Sequence, residues 1–201
     1  MANAAWFNEK LQEYITPRVK LAWVNVLTPR RIKDKPDSKP TFSATGLIPA
    51  GAVVKALEEG LAAAAEAKHG KKWQTNKKLL LPIDKTADHD KLSEFADEFP
   101  LYIKAKAGEE YKPQLYVVKA GKIEKFEGEA SEIYPGRWAL LGGTFYGYDN
   151  LSKGVNFGLN RVILLEHDDR LPIGGGGPRD STEGFEGVDL GEGESASSMF
   201  D

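Results

Sequence analysis

The sequence predicts a mainly β fold with one principal helix, and three observations carry that expectation. Short runs of alternating apolar residues recur along the chain, a single stretch places apolar residues at helical spacing, and loops rich in proline and lysine separate them. Five or six short strands, one helix and long basic loops suit a small closed barrel such as the OB-fold, a five-stranded Greek-key barrel. With 201 residues and 41% hydrophobic content, one domain is expected over residues 1–173, followed by a glycine hinge and acidic tail over 174–201.

The first strand is "RVKLAWVNVL", residues 18–27. Strict alternation there turns Val19, Leu21, Trp23, Asn25 and Leu27 one way and Lys20, Ala22, Val24 and Val26 the other, which puts Trp23 on the core side. In the following loop, "TPRRIKDKPDSKP", Pro29, Pro36 and Pro40 preclude regular structure while Arg30, Arg31, Lys33, Lys35 and Lys39 supply positive charge. "TFSATGLI" reads as a second strand. Residues 49–70 form the helix, with Val53, Val54, Leu57 and Leu61 at helical spacing and Gly70 as its stop.

Beyond the helix, "KKWQTNKK" is too hydrophilic for a core and reads as a flexible basic loop around Trp73. Further strands are expected at 101–108, 114–121, 137–148 and 155–167. In "GGTFYGYDNLSKGVNFGLN", residues 142–160, Phe145, Tyr146, Tyr148 and Phe157 stand among five glycines. Glycine weakens a strand interior unless a bulge, a bend or another molecule requires it. Alternation separates Tyr146 and Tyr148 from Phe145, and the tyrosines are expected outward because their hydroxyls need a partner or water.

The formal charge of -3 conceals an asymmetry. Residues 180–201 contain seven acids and no lysine or arginine, so the rest of the chain is net basic, and residues 1–78 alone carry +7. An acidic, Gly/Ser-rich tail is expected to stay disordered. Its apolar end, Met199 and Phe200 before Asp201, reads with Glu192 and Glu194 as a docking motif for a protein partner. "GGGGP" at 174–178 lacks the Lys-Ser/Thr of a phosphate loop and reads as a hinge.

No cysteine is present, which excludes disulfides, thiolate metal sites and thiol nucleophiles. No signal-peptide pattern and no membrane-length apolar run is found, so a soluble cytoplasmic protein is expected. His69, His89 and His167 fall in no zinc spacing, and no metal or cofactor is expected. The acidic clusters "DKTADHD" (Asp84, Asp88, His89, Asp90) and "EHDD" (Glu166, His167, Asp168, Asp169) are the best catalytic candidates, as a Mg²⁺ nuclease site. No nucleophile elbow, kinase-type glycine loop or dinucleotide fingerprint is present, and catalysis is not expected.

Basic and aromatic residues recur side by side, which is what an unpaired nucleic acid strand requires: cations for its phosphates and ring faces for its bases. The candidate contacts are Arg30, Arg31, Lys33, Lys71, Lys72, Trp73, Lys77, Tyr146, Tyr148, Lys153, Phe157 and Arg161.

"IYPGRWALLGGTFYGYDNLSKGVNFGLNRVILLEHDDRLPIGGG", together with "TPRVKLAWVNVLTPR" and "KPTFSATGLIP", resembles a family of bacteriophage single-stranded DNA-binding proteins. The resemblance implies an OB-fold, binding of single-stranded DNA with little sequence preference, and a role in phage replication or recombination within the cytoplasm of an infected bacterium. It also implies that the acidic tail recruits replication partners. A nuclease or a strand-annealing recombinase is the alternative, a structural virion protein the outsider.

Overall fold

Five of the alternating runs close on one another in the computed structural model, which describes residues 3–31 and 38–173. In chain order the elements are β1 (Trp6–Asn8), β2 (Glu13–Ile15), β3 (Val19–Arg30), β4 (Thr41–Ile48), α1 (Lys55–His69), β5 (Ile83–Lys85), β6 (Leu101–Gly108), β7 (Gln114–Lys119), β8 (Lys122–Lys125), β9 (Trp138–Asp149) and β10 (Lys153–Leu164). Strand β3 pairs with β4 and β4 with β6, both antiparallel. Strand β6 then pairs in parallel with β10, and antiparallel pairs of β10 with β9 and β9 with β3 complete the ring. This is the five-stranded OB-type barrel that the sequence predicts.

Four short strands extend the ring and escaped the sequence reading. The hairpin β1–β2 adds to β9, β5 adds to β6, and β7 pairs with β10 and with β8. At three or four residues each, β1, β2, β5 and β8 are too short to show a period.

The barrel interior is filled by one side of each strand: Phe42 and Ala44 from β4, Ile103, Ala105 and Ala107 from β6, and Leu141, Phe157, Leu159 and Val162 from β9 and β10. Helix α1 lies against β9, burying Leu57, Leu61 and Ala65. It begins later than the helical spacing predicts, because residues 50–53 are held in a turn and an extended pairing. Gly51 has φ 77°, and Val53 exchanges backbone hydrogen bonds with Asn3 and Ala5. Gly70, at φ 80°, ends the helix as expected, its N–H donating to the Glu66 carbonyl at 2.9 Å.

Strand β3 departs from strict alternation. Its register with β4 shifts between Leu21 and Val24, a bulge that turns both Ala22 and Trp23 to the barrel exterior. Leu21, Val24 and Val26 pack inward, whereas Ala22 and Trp23 join an external cluster with Leu47, Leu92, Phe99, Tyr102 and Ile173. The expectation that Trp23 shares a face with Leu21 is corrected: one extra residue inverts the side-chain parity. That cluster lets residues 86–99 and 171–173 cover one end of the β3–β4–β6 exterior. The other end stays open. No helix among the described residues is long and apolar enough to cross a membrane.

Candidate nucleic-acid interface

The open exterior is built from the outward parity of five strands. Asn25 of β3 faces Ser43 of β4, Ser43 pairs in register with Lys106 of β6, Lys106 with Gly158 of β10, and Asn156 of β10 with Tyr146 of β9. Because Ile103, Ala105 and Ala107 point inward, Tyr102, Lys104 and Lys106 must rise together on the outside. From Tyr102 to Gly108 this face runs about 20 Å at roughly 3.3 Å per residue.

Its electrostatics are one-sided. Lys104 and Lys106 stand two residues apart, and among the described residues no carboxylate forms an ion pair with either. Burial of its surroundings first, and the Lys104 charge second, pull the Lys106 ammonium below the ordinary lysine range. Lys106 remains exposed to solvent and lines a cavity with its neighbours. The Lys104 ammonium lies 4.9 Å from the centroid of the Tyr102 ring.

Beside these lysines a cavity of about 520 Å³ is lined by Lys39, Lys106, Tyr111, Tyr146, Asn150 and Asn156, with Glu109 and Glu110 also on its wall. Tyr146 is 46% exposed and Tyr111 72%, so two ring faces are offered to solvent next to an unpaired cation. The Asn156 amide donates to the Tyr146 hydroxyl at 3.4 Å, which orients that ring.

The residues that the sequence singles out are distributed unevenly around this face. Tyr146 and Tyr148 do turn outward, Tyr148 half-buried, while Phe145 packs on the core against Tyr14 and Phe157. Lys153 is exposed but forms an ion pair with Asp149 at 3.2 Å. Arg30, Arg31, Lys71, Lys72 and Lys77 are exposed on flanking loops and strand ends. Lys33 lies outside the described residues, as do the tail positions Glu192, Glu194, Met199, Phe200 and Asp201.

Three of the expected contacts are corrected. Phe157 is fully buried, since it shares the inward parity of Val155 and Leu159, and no ligand ring can reach it in the folded barrel. Arg161 is engaged by Glu13, its Nε at 2.6 Å and its Nη2 at 3.0 Å from the two carboxylate oxygens. Those hydrogen bonds, donated to Glu13, raise the guanidinium pKa further and leave its charge locally neutralised. Trp73 is half-buried against Leu61, Ala65 and Val155, so it anchors its loop to the helix instead of standing free among the lysines.

The glycines of 142–160 also have another cause than ligand approach. A Cβ at Gly147 would lie 2.3 Å from the Lys68 Cβ, so the absent side chain admits helix α1. At Gly154 a Cβ would meet the Leu80 carbonyl oxygen at 2.5 Å. These glycines make room for the protein's own backbone.

The acidic clusters are engaged as well. Glu166 forms an ion pair with Arg18, and Asp168 accepts from Lys20 at 3.1 Å and from the Trp138 indole at 2.7 Å. The Asp169 backbone N–H, followed by Lys20 and Trp138, holds the Asp168 carboxyl below the usual range. His167 contacts the Tyr134 hydroxyl at 3.0 Å. Among the described residues no three His, Asp or Glu side chains converge as a metal site would require.

Lys104, Lys106, Tyr111 and Lys39 are the face residues that sequence reasoning missed. The signal was present in "LYIKAKAG", where lysines alternate with alanines: small inward residues and two like charges outward.

The sequence profile of the family described as the ssDNA-binding protein of Enterobacter phage Enc34 matches residues 12–196. The chain belongs to that family. The single-stranded DNA-binding protein of bacteriophage Enc34, solved in complex with ssDNA, is similar at a TM-score of 0.68 and 17% identity, with 85% of this chain and 95% of that one covered. Another structure of the Enc34 protein gives 0.62 at 19% identity, covering 92% and 96%. The gp2.5 single-stranded DNA-binding protein of bacteriophage T7 gives 0.55 at 15% identity, covering 79% and 93%. Comparison with curated protein sequences finds no match.

Proposed function

We propose that this family member binds single-stranded DNA along the open exterior of β3, β4, β6, β9 and β10, and that it acts by binding alone. The observation that carries the reading is the pair Lys104 and Lys106, with which no described carboxylate forms an ion pair, Lys106 lining one cavity with the exposed rings of Tyr146 and Tyr111. In this reading Lys104, Lys106 and Lys39 follow the phosphates, and Tyr146 and Tyr148 stack on bases at about 1 to 3 kcal/mol each. Arg30, Arg31, Lys71, Lys72, Lys77 and Lys153 contribute at the periphery. Stacking on ring faces and point-charge contacts to phosphate read no base edge, which supports binding with little sequence preference.

Such a protein would protect unpaired strands during phage replication or recombination in the cytoplasm of the infected bacterium. Its acidic residues 180–201 carry the charge to compete for the cationic face when DNA is absent, leaving the Met199–Phe200 end to partner proteins when DNA is bound. Deleting 180–201 should then raise affinity for DNA; unchanged affinity would remove the competition.

The decisive experiment is titration of a labelled single strand with duplex and RNA competitors at several salt concentrations. The logarithm of affinity should fall with the logarithm of salt by roughly 0.7 per phosphate neutralised. Absence of binding, or shortening of the strand in Mg²⁺, would overturn the proposal.

A further inference from the structure

Among the described residues "DKTADHD" brings no three acidic or histidine side chains together, and its His89 reaches Tyr102 on the exterior of β6. His89 lies at the boundary between the covered and open ends of the face. Its ring leans on Trp23 with centroids 5.4 Å apart and planes at 34°, and it meets the buried Tyr102 edge-on at 5.3 Å and 88°. Trp23 reaches this position only because the bulge in β3 turns it outward. Both Trp23 and His89 remain half-exposed.

The protonation of the ring follows from its neighbours. The Lys91 backbone N–H donates to His89 Nδ1 at 3.2 Å, so the proton of the neutral ring sits on Nε2. Desolvation and then the Lys104 charge lower the His89 pKa, with Lys91 acting in the same direction and Asp90 opposing. Asp84 and Asp88 are the other charges at this end, felt through Tyr102. The imidazole is thus a flat neutral ring with one outward donor at the head of a row of lysines.

Building on the single-strand reading of the face, we propose that Trp23 and His89 form a second base-stacking step at the end remote from Tyr146, with His89 acting as a neutral ring and not as a phosphate cation. The strand would then run from the Tyr146 cavity across Lys106 and Lys104 to the Trp23–His89 pair, with phosphates along the middle and rings at both ends.

The test compares His89→Ala and His89→Phe with the wild-type full chain, using a labelled oligo(dT) over a series of salt concentrations, with thermal unfolding as the check on folding. His89→Ala should weaken binding about tenfold, one stacking contact, with the salt slope unchanged. His89→Phe keeps a ring and should stay within about threefold of wild type. Equal affinity of His89→Ala and wild type would overturn the step, as would a His89→Phe variant as weak as His89→Ala. A loss of about 0.7 in salt slope in either variant would make His89 a phosphate cation and overturn its neutral role. Lys104→Ala/Lys106→Ala tests the face independently: if that double variant binds as wild type while His89→Ala behaves as expected, the cationic middle fails and the ring step stands.

Discussion

Lys106 and Arg161 rise from neighbouring strands of the same barrel, yet they do opposite things. Arg161 meets a carboxylate on β2 that is only 5% exposed, and its charge is used to hold the β1–β2 hairpin against β10. Lys106 meets another lysine, and among the described residues no carboxylate pairs with it. A basic residue is therefore informative only with its partners. The loop lysines Lys71, Lys72 and Lys77 form a third case, exposed but not fixed by a strand.

The largest effect that would break this contrast is expected at the strand pair. Lys104→Ala/Lys106→Ala should lower single-strand affinity by about two orders of magnitude at low salt and reduce the salt slope by about 1.4, measured by fluorescence titration. Arg161→Ala should leave the salt slope intact but cost about 3 kcal/mol in denaturant unfolding, because Glu13 would remain buried without its cation. Were Arg161→Ala instead to weaken DNA binding as strongly as the lysine pair, the distinction would fail.

Tyr146→Ala should cost about tenfold in affinity, with Tyr146→Phe retaining most of it, since the ring face is what stacks. The lowered pKa of Lys106 predicts a smaller, pH-dependent effect. DNA favours the charged ammonium, so affinity should decline as pH rises towards the ordinary lysine range, by at most one proton per complex. Lys106→Arg should flatten that decline, read by repeating the titration along a pH series. Smallest of all, Lys71→Ala/Lys72→Ala/Lys77→Ala should change affinity by about threefold or less, since exposed, loosely held cations are screened by salt.

The barrel was legible because its five strands are long and their inward residues keep a period of two over most of their length. Where the period fails the reading failed with it. Nothing in "LAWVN" announces the bulge that turns Trp23 outward, and the glycines flanking Phe157 suggest an open loop, although Gly154 abuts the Leu80 carbonyl and Gly158 the Tyr146 ring. The candidate site was half legible. The tyrosines followed from alternation and the need of a hydroxyl for water. The lysines of "LYIKAKAG" did not stand out against the denser runs of loop lysines, and Glu13, 148 positions from Arg161, could be paired with it only in three dimensions.

The parallel seam between β6 and β10 has a consequence for how the chain is made. Strands β9 and β10, which complete the ring, are the last barrel strands to leave the ribosome, so β3, β4 and β6 must wait with unpaired edges while more than forty further residues are translated. Closure by such distant partners is slow by loop entropy, and a nascent chain halted before residue 153 would display an open, sticky half-barrel. Escape from that half-barrel depends on the hairpin of β9 and β10 zipping shut as soon as it emerges.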